Sequence, residues 1–225
     1  MSELNKVLDY SSLEPKVRSV AQKDTLDVLA DIYRDEINMA VWSRQLPRVL
    51  SDSARQVLDE KPGLCLSAIV NLENAHEIIW RALGREERFL PLAEDIFELV
   101  GMFCSLFDLG SVGIRLSSLE RAMCPRFHVD HVPCRLISTY HGDSTEWISH
   151  EDLGCLKRGR GDWSLADAQS NLFSKESGVR QMREGEVALL KGEGWVGNEG
   201  AGLVHRSPKL TSSVRRLLMT LDFSR

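Results

Sequence analysis

A chain of 225 residues, 43% hydrophobic and 27% charged, is long enough to bury a full core and ordinary in make-up for a globular protein. Its formal net charge of −5 offers no basic face for nucleic acid, and no apolar run reaches the roughly 18 residues of a membrane span. No nucleic-acid or membrane partner is therefore expected, and because MSELNKVLDYSS lacks a basic start followed by an apolar core, the chain reads as cytoplasmic without a signal peptide.

The first 110 residues carry mainly helical spacing. SSLEPKVRSVAQKDTLDVLADIY and LPRVLSDSARQVLDEK place apolar residues three and four apart. NAHEIIWRALG predicts a helix ending at Gly84, and REERFLPLAEDIFELVGMFCSLFDLG a more apolar one stopped near Gly110. One short strand, INMAVWSR, interrupts them. After Gly110 the pattern changes. SVGIRLSSL, CRLISTYHG, TEWISH, GEVALLKGE, GLVHRS and VRRLLMTLDF are short, rich in β-formers and separated by glycines, prolines and polar clusters. Such strands indicate an antiparallel sandwich or a barrel such as a jelly roll. The expected architecture is α+β: a helical support region, residues 1–110, packed on a jelly-roll metal-binding domain, residues 111–225, with one continuous fold as the alternative.

The cysteines, Cys65, Cys104, Cys124, Cys134 and Cys155, are odd in number and widely spaced, which does not suggest a disulfide framework. Cys65 and Cys104 sit in apolar runs and read as small core residues. Of the six histidines, only His76 lies outside residues 128–205.

Within CPRFHVDHVPC, an extended backbone would turn His128 and Asp130 to the same side, because residues two apart on a strand share a face. Imidazole and carboxylate so placed are two ligands for a divalent transition metal. His205, on a later short strand, is the natural third. Two histidines and a carboxylate form the facial triad of non-haem Fe(II) oxygenases, which leaves coordination positions for co-substrate and oxygen. An HxD pair alone recurs by chance, so its surroundings matter.

The order FHVD, GEVALLKGE, GLVHRSP, VRRLLMTLDF resembles the double-stranded β-helix of Fe(II)/2-oxoglutarate-dependent dioxygenases, over roughly residues 111–225. The resemblance implies a cupin-like jelly roll, Fe(II) on His128, Asp130 and His205, and 2-oxoglutarate anchored by Arg215 or Arg216. Periodicity favours Arg215. It shares a face with Leu217, Met219, Leu221 and Phe223, which is expected to look into the barrel, whereas Arg216 goes with Leu218, Thr220 and Asp222. A buried cation needs a partner, either the co-substrate or an internal acid. Tyr140 or Ser138 can hydrogen-bond the co-substrate or a backbone group.

His131 points opposite to His128 and Asp130 and reads as a surface or supporting residue. His141 and His150 fall in expected turns and read as solvated. Cys124 and Cys134 are too far apart for a CxxC pair. The basic stretch LKRGRGDW around Arg158 reads as a solvated turn or the mouth of an anion site, and GEGWVGNEGAG as a mobile loop beside the triad. The chain also resembles, over nearly its whole length, an uncharacterised bacterial family for which a link to zinc homeostasis is suggested. Two other readings therefore stand beside the enzyme. In one, zinc replaces iron and Cys124, Cys134 or His131 closes a non-catalytic four-ligand site. In the other, His128, Asp130 and His205 are hydrogen-bonded residues of a barrel without metal. The leading expectation is an oxygenase hydroxylating a small-molecule or protein substrate that the sequence does not name, as it does not name the oligomeric state.

Overall fold

A computed structural model describes residues 17–153, 178–210 and 215–224. Helices α1 (Arg48–Glu60), α2 (Ala75–Leu83) and α3 (Leu90–Phe107) and two 3-10 helices (Leu26–Tyr33 and Glu87–Phe89) accompany ten strands. Seven strands form one sheet: β1 (Ser19–Lys23), β2 (Ile37–Trp42), β3 (Cys65–Val70), β4 (Val112–Leu119), β5 (Cys134–His141), β8 (Val187–Lys191) and β10 (Arg216–Phe223). Their spatial order is β1-β2-β8-β5-β10-β4-β3. Every neighbouring pair is antiparallel except β1 with β2. The smaller sheet joins β7 (Val179–Gln181), β6 (Glu146–Ile148) and β9 (Val204–Arg206) in the order β7-β6-β9.

Alternation along the strands builds two layers from the large sheet. Leu136 and Tyr140 of β5, Val187 and Leu189 of β8, and Leu217, Met219 and Leu221 of β10 pack under the helices with Val57, Ile96 and Phe103. Phe223 meets the rings of Phe103 and Phe107 on α3, at 5.7 and 5.1 Å between centroids. The intervening residues, Ile137, Ala188, Leu190 and Leu218, face the smaller sheet and pack with Trp147 and Leu203. Buried polar side chains such as Thr139, Thr145 and Arg216 interrupt this second layer.

The structure corrects several expectations. Described residues 17–110 carry three strands beside the helices rather than one, and β1, β2 and β3 all belong to the large sheet. SVAQK reads as helix but forms β1, an edge strand whose exposed and half-buried residues follow no strict alternation. β3 was missed, although Cys65, Ser67 and Ile69 are exposed and Leu66 and Ala68 half-buried, a two-residue period. α2 ends at Gly84, whose φ of 98° suits a glycine C-cap, but α3 ends before Asp108 in the left-handed region (φ 52°), short of Gly110. The two sheets face each other, and among the described residues no ladder joins them, so the β-part is an open sandwich rather than a closed barrel. Among the same residues no helix is long and apolar enough to cross a membrane. Arg158 and its basic stretch lie outside the described residues, as does Cys155.

Candidate metal centre

His128 pairs with His205 as an isolated antiparallel bridge beside β9. The His128 N–H donates to the His205 carbonyl at 3.0 Å, and the reverse bond is 2.9 Å. Residues exchanging both bonds project their side chains from the same face, and the two imidazoles lie 4.5 Å apart between centroids. Phe127, buried under the Arg206 guanidinium at 4.2 Å, holds the segment just before. Beyond His128 the chain runs against the glycine-rich stretch: Glu193 N–H donates to the Asp130 carbonyl (2.8 Å) and Gly192 N–H to that of Pro133 (2.9 Å). A Cβ on Gly192 would collide with the Val132 carbonyl and stand 2.6 Å from that of Asp130. Close backbone approach is what this glycine is for.

Asp130 completes the group. Its Oδ2 lies 3.4 Å from His205 Nε2 and its Oδ1 3.9 Å from His128 Nε2. One ligand atom from each of the three residues falls within 4.8 Å of the others, and among the described residues no further histidine, cysteine or acid joins them. The tautomers follow from their partners. His128 Nδ1 is 3.0 Å from the Arg126 carbonyl and His205 Nδ1 3.1 Å from that of Leu203. A carbonyl only accepts, so each Nδ1 carries a proton, the tautomer that in a neutral imidazole leaves the Nε2 lone pair for a metal. Burial lowers the His205 pKa from 6.5 to about 4, against the opposing pull of Asp130, so this imidazole is neutral at neutral pH. Both Asp130 oxygens accept from Arg135 Nη1 at 2.9 Å, and Arg135 grips Asp222 through Nε (2.8 Å) and Nη2 (3.0 Å). Two preset imidazole lone pairs and a braced carboxylate form a donor set suited to a divalent transition metal.

His128 and His205 of this group line a cavity between the sheets. Deep in its wall stands Arg216, 1% exposed. Its Nη2 donates to the hydroxyls of Thr139 (2.9 Å) and Thr145 (2.8 Å). It forms no ion pair with the described residues. Burial lowers its pKa to about 10, with the Asp143 charge offsetting part of that, so it remains a cation.

Arg215 was expected to look inward. Instead its guanidinium donates to the Leu58 carbonyl of α1, on the helix side. The apolar face of β10 lies under the helices, and the mixed face carrying Arg216, Leu218 and Thr220 lines the cavity. Tyr140 likewise faces the helices, donating to Asp95 Oδ2 at 2.5 Å, and is not a cavity residue. Ser138 is buried, with no hydrogen-bond partner for its hydroxyl among the described residues. Cys134 lies in the helix-side core, where burial pushes its thiol up, while Cys124 is exposed at the cavity wall. His131 is exposed, and His141 sits 3.4 Å from Glu184. His150, expected in solvent, is 3% exposed and accepts the Arg18 backbone N–H at 3.0 Å. Sequence reasoning missed Arg135 and Asp222. Their signal was a charge on the cavity-facing side of each strand, but the pairing needs the register that sets Asp222 opposite Arg135.

Fold and site together define an open β-sandwich with an inward-facing His–Asp–His group. The chain belongs to the family described as Protein of unknown function (DUF1826), which matches residues 23–222. No curated protein matches it. Among solved structures it is similar to the dioxygenase for auxin oxidation in rice, at 11% identity and a TM-score of 0.48 over 92% of this chain and 82% of that one. It is similar to a full-length Neurospora crassa protein in complex with α-ketoglutarate and 5-formyluracil, at 10% identity and 0.48 over 94% and 85%. A Pseudomonas putida prolyl-4-hydroxylase gives 10% and 0.45 over 88% and 97%.

Proposed function

We propose that the protein is an oxygenase working with Fe(II) and 2-oxoglutarate, the ion held by His128, Asp130 and His205 and the far carboxylate of the co-substrate by Arg216. The observation that carries this reading is a cavity lined both by the two histidines of a three-ligand group and by a buried arginine bonded only to neutral hydroxyls. A buried cation without an ion pair is costly, and a dicarboxylate would answer it with a charge-assisted, forked hydrogen bond. When bound, the ion and co-substrate supply the oxidising power for attack on a C–H bond. The protein's own groups prepare the site. Arg135 fixes Asp130, the two backbone carbonyls fix the imidazole tautomers, and Thr139 and Thr145 orient the guanidinium. Ile137 and Leu218 keep part of the lining apolar and exclude water. The arrangement of two facing sheets supports this reading, in which they are an opened double-stranded β-helix.

Calorimetry on anaerobic, Fe(II)-loaded protein tests the reading. Wild type should bind 2-oxoglutarate and, on admission of oxygen, form succinate. Arg216→Leu should keep its metal and lose about 2–5 kcal/mol of co-substrate affinity, the range for truncation of one partner in a buried charge pair. Metal-loaded wild type that fails to bind 2-oxoglutarate would sink the proposal.

A further inference from the structure

We infer that the primary substrate is a small organic anion, held by Arg115 in a groove that continues the cavity across β4 to β3; this rests on the oxygenase reading above. Cross-strand register makes the groove. Ser67, Arg115, Thr220 and Ile137 form one row from β3 to β5, and Ile69, Gly113, Asp222 and Arg135 form the next. The second row ends at the cation that braces Asp130. The smaller sheet has three strands against seven and leaves the β3 end of this face open, with Ile69 61% exposed. A hollow lined by Ser67, Ile69, Gly113 and Asp222 meets the cavity at Arg115, which lines both.

Three features point to a ligand. The guanidinium of Arg115, an exposed residue, makes no ion pair or hydrogen bond with the described residues, whereas those of Arg135 and Arg206, which share the cavity wall, are engaged with acids. Thr220, directly across from Arg115, is 8% exposed, and its buried hydroxyl has no partner among the described residues. Gly113 stands inside a strand, where glycine is unfavourable, yet an added Cβ would meet nothing closer than the Asp222 carbonyl at 3.7 Å. Internal packing does not require that glycine, and its bare backbone leaves room for a molecule lying flat on the sheet. The groove lining holds one unpaired cation beside the exposed side chain of Ile69. That combination selects a single carboxylate or phosphate on an apolar stem rather than a polyanion.

Calorimetry on anaerobic protein loaded with Fe(II) and 2-oxoglutarate, titrated with hexanoate, hexyl phosphate and neutral hexanamide, tests this. At least one anion should bind, and hexanamide about tenfold or more weaker, the scale of one hydrogen bond to a charged group. The stronger of the two anions identifies the head group. Arg115→Gln should remove that preference without changing 2-oxoglutarate affinity. Gly113→Leu, which fills the groove, should lose the anion and keep both the fold and co-substrate affinity. Binding of neither anion, binding undiminished in Arg115→Gln, or loss of 2-oxoglutarate affinity in that variant overturns the inference. Should wild type not bind 2-oxoglutarate, the functional proposal fails separately. The amide shifts of Gly113 and Arg115 in metal-free protein titrated with the same anions then decide this one.

Discussion

Arg215 and Arg216 are neighbours in sequence whose side chains part to opposite faces of the sheet. The rule that an apolar face points inward holds for β10, but the inside it finds is the helix-covered core, not the space between the sheets. Leu217, Met219 and Leu221 are fully buried there, while the cavity face tolerates Thr220 and Asp222 because a site needs polar groups. The His128–Asp130 pairing was legible because two-residue spacing acts locally. Arg135 was not, because its partner Asp222 is 87 positions away and only strand register brings them together. This arginine gives a residue-scale prediction. Arg135→Leu frees Asp130 to turn away from the imidazoles, so metal affinity should fall about 10–100-fold, as when other supporting contacts behind a ligand are removed. Competition with a chromogenic chelator measures it, and unchanged affinity would mean that Asp130 is held in place by its backbone alone.

At the level of elements, α1, α2 and α3 were readable because their apolar stripes recur at the helical period and Gly84 marks an end. β1 was not readable, since an edge strand exposed on both sides need not alternate. Tyr140, read as a co-substrate contact, instead couples α3 to the sheet. Asp95 of α3 receives two bonds from Arg44, at 2.6 and 2.8 Å, and one from Tyr140, and Arg44 also reaches the Gly185 carbonyl ahead of β8. All three are largely buried, so Asp95→Ala leaves a cation and a phenol without their acceptor. It should cost about 3–5 kcal/mol of unfolding free energy in urea while sparing metal affinity. The glycine-rich stretch predicts the reverse. Gly192→Val drives its side chain into the Asp130–Pro133 backbone, which lies away from the helix-side core. Metal affinity should fall at least about tenfold, the lower end for disturbed ligand support, while the helical far-ultraviolet signal persists. Equal loss of both would show that this loop supports the whole fold rather than the site.

Across the whole molecule, the change of pattern near Gly110 was real as a change of composition but does not divide the sheet. β1 and β2 extend one edge and β3 closes the other, while residues after 110 fill the middle. A fragment of residues 1–110 should therefore show neither cooperative unfolding nor dispersed amide resonances, and a well-folded fragment would restore the two-part description. The centre of the sheet has a further consequence. β10 is the last described strand in the chain, yet it sits between β5 and β4, hydrogen-bonded to both. During synthesis, every other strand of the large sheet leaves the ribosome before the one that joins its halves. Until Phe223 emerges, β4 and β5 stand with bare edges, open to pairing with another nascent chain. The molecule thus spends its most vulnerable interval as two half-sheets awaiting a keystone, and its yield in a cell depends on how briefly that slot stays open.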